Sequence, residues 1–232
     1  MAAAPGELGV VEASLRTPRA AAVSGIVFSA LLITTLTLIT LSQPTRVTTT
    51  GTWLTDVHKR EALKVGLGLV PFAGIAFLWF IGVVRDRVGS LEDRFFATVF
   101  LGSGLLFVAV LFVAAALGSA LVANLELHAS GAEGAATVAQ GRQVSFILIH
   151  SYALRMAGVF TMSTATILHR TRVAPRWLSV LGFVVALVLI LAVGLSPWLE
   201  LLFPGWIGLL SIQILLRSLS SPPDAPAVLA PA

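Results

Sequence analysis

Few side chains in this 232-residue chain could do chemistry, and the most unusual of them is Arg155. It is the one charge in the run from Gln143 to Leu168, and a charge inside an apolar span is costly unless it finds a partner, water or a route to the interface. On a helix, Ser151 (i−4), Tyr152 (i−3) and Gly158 (i+3) share its stripe, and His150 lies beside it. Thr161, Ser163, Thr164 and Thr166 make this run the most polar of the apolar segments. No carboxylate falls within a charge-free run, so an acidic partner must come from a segment end, where Glu200, Glu126 and Glu61 are the candidates. One reading makes Arg155, with His150, Tyr152 and Glu200, the lining of a cavity for an anionic ligand or a lipid head. The other makes Arg155 structural, satisfied by helix-end carbonyls, Glu200 or bound water. His150 divides likewise between relaying a proton or binding a ligand and donating to a neighbouring carbonyl.

Asp56-Val-His58 and Glu126-Leu-His128 contain acceptable metal ligands, but their two-residue spacing is unspecific and no metal is expected. The absence of cysteine excludes disulfides, iron–sulfur clusters, thiolate nucleophiles and Cys-ligated zinc. No H-E-x-x-H, Walker-type or c-type haem motif occurs, so no cofactor is expected.

The elements that position these groups follow from composition. Apolar letters make up 57% of the chain and charged ones 11%, with a mean hydropathy of +0.95, against about 25% charged in a soluble domain. Apolar runs extend from Ala20 to Leu41, Val65 to Val84, Phe95 to Ala123 and Gln143 to Leu168, each long enough to cross a hydrocarbon core of ~30 Å. The stretch from Trp177 to Leu216 holds only Glu200 as a charge and has room for two crossings, joined at Gly194, Ser196 and Pro197. Ser196 suits an N-cap and Pro197 the first helical position, so the last helix is expected to start there. Pro71 predicts a kink in the second helix, and Pro204 predicts a bend or a re-entrant form of the last. The expected fold is an all-α polytopic bundle of six transmembrane helices over 20–218, with a mobile tail at 1–19 and a disordered one at 219–232.

The net charge of +4 and the pI of about 10.6 reflect basic residues placed mostly between apolar runs, where they anchor helices at headgroups rather than bind nucleic acid. Arg16, Arg19, Arg85, Arg87, Arg94, Arg170, Arg172, Arg176 and Arg217 fall on one side of a six-span arrangement, and Arg46, Lys59, Arg60 and Arg142 on the other. That bias predicts both termini in the cytoplasm.

The segment from Gly82 to Ser90 resembles the G-x-x-x-D-R-x-G-R-R loop of major facilitator transporters at Gly82, Asp86, Arg87 and Gly89. It departs from that signature at Ser90 and Leu91, and six spans are half that family's number. Local pairing of Asp86, Glu92 and Asp93 with Arg85, Arg87 and Arg94 is the preferred reading. Gly102-Ser103-Gly104 resembles the rhomboid protease Gly-x-Ser-Gly nucleophile, but Leu101 replaces its first glycine, and close helix approach is the plainer role. The stretches from Pro71 to Arg87 and Glu92 to Phe107 resemble an uncharacterised group of actinobacterial integral membrane proteins, and Leu168 to Phe183 is similar to a turn in a broader family of six-helix membrane proteins of unknown function. That resemblance implies six helices and a multi-pass location in the plasma membrane, and no activity.

The expected role is therefore a non-enzymatic accessory or scaffold protein, surrounded by the lipid bilayer and binding another membrane protein or itself. The alternative is a small-molecule or lipid carrier with an Arg155-centred cavity; a membrane enzyme is the third class.

Overall fold

The computed structural model describes residues 5–42, 56–88, 94–128, 132–172, 174–192 and 196–220. Every regular element among them is helical: α1 (Pro5–Ser42), α2 (Val57–Val88), α3 (Arg94–His128), α4 (Ala132–Ile147), a π turn (Leu148–Ala153), α5 (Leu154–Thr171), α6 (Arg176–Leu191), a 3-10 turn (Pro197–Leu201) and α7 (Leu202–Ser220). The segments long and apolar enough to cross a membrane are Ala20–Ser42, Val57–Arg85, Ala97–Asn124, Gln140–Thr171 and Trp198–Leu219. They follow the apolar runs closely, because charge and hydropathy along the chain decide which residues can enter lipid. The remaining apolar helix, α6, has 16 residues, about 24 Å of rise, so the six expected crossings are matched by five helices long and apolar enough to span and one shorter apolar helix. Pro175, extended at its N-cap, and the Ser196-Pro197 start of the next element confine it.

Other expectations shift at the ends. Helix α1 begins at Pro5, so residues 5–19 of the segment expected to be a mobile tail are wound as helix; proline is tolerated there because a first-turn residue has no intrahelical use for an N–H. Residues 1–4, the tail from 221, and the turn residue Gly194 lie outside the described residues. So do Gly89, Ser90, Glu92 and Asp93, along with the side chains of Asp86, Arg87, Glu126 and His128. Pro71 sits inside an uninterrupted α2. Pro204 falls in the first turn of α7, directly after the 3-10 turn that leads into it.

The helices form a closed ring in which α1 packs on α2, α2 on α3, α3 on α4 and α5, α5 on α6, α6 on α7 and α7 on α1. Glycine permits two of these close approaches. At Gly25 a Cβ would run into Ser211 Oγ of α7, and at Gly182 it would come within 2.7 Å of the Trp206 ring. The buried Trp206 indole then donates Nε1–H to the Leu178 carbonyl at 3.1 Å, tying α7 to α6.

Five helices send phenylalanine to the axis. Phe77 of α2 is fully buried, with ring centroids 4.5 Å from Phe28, 5.4 Å from Phe107, 5.0 Å from Phe160 and 5.7 Å from Phe203. Tilted and edge-to-face arrangements predominate, as the ring quadrupole favours. The middle of the bundle is thus filled with side chains.

Candidate functional site

The site is built where the fourth crossing leaves α-helical geometry. At Leu148–Ala153 the helix widens into a π turn, and the Leu154 N–H bonds to the Ile149 carbonyl, five residues back. Such turns are rare and concentrate at functional sites. Two side chains cover carbonyls around it. His150 Nδ1 lies 3.0 Å from the Phe146 oxygen, and Arg155 Nη1 donates to the Ser151 oxygen at 2.5 Å. The His150 ring also stacks on Phe146, with centroids 3.7 Å apart.

Across the bundle, the Ser196 side chain accepts from the Trp198 N–H at 3.4 Å and caps the 3-10 turn, with Pro197 at the first position, as the sequence implied. That turn carries Glu200 inward. Glu200 is 4% exposed, and its Oε1 lies 2.5 Å from His150 Nε2.

His150 thus stands between two oxygens, the Phe146 carbonyl at Nδ1 and the Glu200 carboxyl at Nε2, and whichever ring nitrogen carries a proton can donate to the oxygen it faces. Beside the pair lies a cavity of about 10 Å³ lined by Leu32, Leu36, Phe107, Leu111, Ile149, Ala153, Leu154, Phe203 and Glu200, room for roughly one water molecule. Leu32, Phe107 and Leu111 lie near the middle of their spans, so the carboxyl points toward the interior of the bundle.

Of the four residues expected to surround a ligand, His150 and Glu200 meet, whereas Arg155 and Tyr152 are exposed and do not line this cavity. Arg155 runs back along its own helix toward Ser151, the route by which a long cationic side chain reaches an interface. Sequence reasoning offered Glu200 as a partner for the arginine; the fold gives it to the histidine. Nothing in apolar periodicity signals a π turn, and that turn sets the direction of His150.

The other candidates receive structural roles. Asp56 Oδ1 accepts from the His58 N–H at 3.0 Å, and the Asp56 carbonyl accepts from the Arg60 N–H at 3.1 Å, so Asp56 caps α2. Among the described residues no group of three or more His, Cys, Asp or Glu could hold a metal ion. Ser103 is buried and donates to the Val99 carbonyl at 2.6 Å, while a Cβ on Gly104 would lie 2.6 Å from Ile81, so close packing accounts for that glycine.

Fold and site together define a multi-pass helical membrane protein with a buried histidine–glutamate pair. No family model, curated protein or solved structure matches the chain.

Proposed function

We propose that the protein is a non-enzymatic accessory or scaffold subunit of the plasma membrane, with both termini in the cytoplasm, that docks a transmembrane helix of its partner along the outward face of α2. The observation that carries this reading is the pattern Val65, Gly68, Phe72, Ile75, Trp79, Gly82, which repeats at alternating intervals of three and four residues on the exposed side of the helix. That spacing is the one used in left-handed helix packing. Phe72 and Trp79 are 62% and 70% exposed, while a Cβ on Gly68 or Gly82 would meet nothing within 4 Å. Glycine in a helix interior costs about 1 kcal/mol relative to alanine, and packing within the protomer does not require these two. By contrast, α6 presents Trp177, Val180, Val184, Leu187 and Leu191 at the same spacing, with a large side chain at every position, as lipid contact alone would have it. Glycine notches between aromatic knobs suit a neighbouring backbone.

The test is native mass spectrometry of protein released gently from its own membrane, with Gly68→Leu/Gly82→Leu alongside. The expected wild-type species carries a second polypeptide at fixed stoichiometry, its mass telling a partner from a second copy. The double variant is expected to be a lone protomer with unchanged thermal stability. A double variant that stays associated, or a lone wild-type protomer, overturns the reading. A lone protomer retaining a defined small molecule or lipid supports the second one, a carrier, which the buried His150–Glu200 pair and its cavity favour.

A further inference from the structure

We propose that the turn between α5 and α6 binds the headgroup of an anionic phospholipid whose acyl chain lies along the outward face of α6. The proposal stands apart from the docking face on α2 and from the His150–Glu200 pair, and it holds whether the protein is a scaffold or a carrier.

The argument begins with charge. Arg170, Arg172 and Arg176 fall within seven residues, His169 precedes them, and no aspartate or glutamate occurs from 134 to 199. His169 and the three arginines are exposed. Arg170 has interactions of its own, whereas among the described residues the guanidiniums of Arg172 and Arg176 engage no hydrogen-bond or ion-pair partner.

The helix ends do not account for these two. Arg172 closes α5 at φ 55° and ψ 21°, the one non-glycine residue with positive φ among the described residues. That left-handed conformation is strained for a residue with a Cβ, and helices commonly place glycine there. Nothing in the packing of this exposed position calls for an arginine. Arg176 opens α6, whose first turn holds no acid and whose N-cap, Pro175, makes no side-chain cap; a cation is unfavourable at that positive end of the helix dipole. An anion at the turn neutralises the field that both arginines and the dipole build together.

The surroundings make that anion a lipid. Directly after Arg176, the exposed residues Trp177, Val180, Val184, Leu187 and Leu191 form an apolar stripe down α6. The helix has 16 residues, about 24 Å of rise, against a hydrocarbon core of ~30 Å. The bilayer beside it therefore thins, which brings headgroup phosphates toward the arginines. A guanidinium's planar fork matches two phosphate oxygens, and the Trp177 indole, 51% exposed, suits the headgroup level as interfacial aromatics do. Head and chain of one lipid meet the basic turn and the apolar stripe in succession.

Native mass spectrometry of the purified protein, titrated in detergent micelles with phosphatidylglycerol or phosphatidylcholine, counts the lipids bound per protomer. The first phosphatidylglycerol is expected to bind more tightly than phosphatidylcholine, and Arg172→Gly/Arg176→Gln to weaken it about thirtyfold. Lys59→Gln/Arg85→Gln removes the same charge from exposed positions elsewhere and should leave it nearly unchanged. Arg172→Gly alone should weaken binding yet raise thermal stability in phosphatidylcholine nanodiscs, because glycine accepts the left-handed conformation, so misfolding cannot imitate the expected loss. A wild type without preference, or equal losses in the two double variants, overturns the proposal. A preference that survives the arginine variants places the lipid elsewhere and overturns it too, as does inorganic phosphate that displaces the lipid at equal concentration, which would assign the turn to a soluble anion.

Discussion

Phe77→Ala should be among the most destabilising single changes in the bundle, and its size can be worked from the packing. The ring is fully buried and touches phenylalanines from four other helices. In water, truncation would cost both transfer free energy and cavity formation. In a bilayer the separated helices still sit in hydrocarbon, so the transfer part largely cancels and the cavity remains. Truncation removes on the order of 100 Å³, which at about 24 cal/mol per Å³ comes to about 2.4 kcal/mol if the site does not collapse. Loss of the favourable ring arrangements contributes about 1 kcal/mol more. The sum, about 3.4 kcal/mol, shifts the unfolding equilibrium by roughly two and a half powers of ten. Phe72→Ala provides the control, because Phe72 is 62% exposed on the same helix and faces hydrocarbon whether or not the bundle is assembled. Equilibrium unfolding in mixed detergent and SDS micelles, followed by circular dichroism and tryptophan fluorescence, measures both variants. A cost below about 1 kcal/mol for Phe77→Ala, or one equal to that of Phe72→Ala, would refute the claim that axial packing holds the helices together.

Two further outcomes concern charge. Arg155→Leu should leave stability unchanged or raise it in the same titration, because the guanidinium is exposed and its hydrogen bond is to its own helix; a loss above about 1 kcal/mol would mean that the arginine is held by the bundle. A green fluorescent protein fused after Leu219 should fluoresce, and alkaline phosphatase fused there should be inactive, if the basic bias sets orientation; phosphatase active outside the cell would reverse the arrangement.

Much of the architecture was legible in the sequence, and the reasons are local. The apolar runs sit within one to a few residues of the helical spans, apart from the second, whose span begins at Val57 rather than Val65. This is because entry into lipid depends on hydropathy summed along the chain. Ser196 and Pro197 could be placed because a cap is decided by neighbouring residues. The ends fared less well. Residues 5–19 mix small and charged letters without a period, yet from Pro5 they continue the helix of the first span. For the candidate site, His150 and Glu200 could be named from residue type alone, whereas their pairing could not.

What the sequence by itself determined is that this chain is a bundle of apolar helices and which residues must leave the lipid. The tertiary structure alone decided which face of each helix turns inward. Phe72 and Trp79 lie outside while Phe77 and Phe80 lie inside on the same helix, and no hydrophobic stripe separates them, because lipid and protein interior are both apolar and the usual amphipathic signal vanishes. The same choice sends Arg155 outward and brings Glu200 to His150, since a π turn and a distant 3-10 turn jointly set the direction of two side chains far apart in the chain.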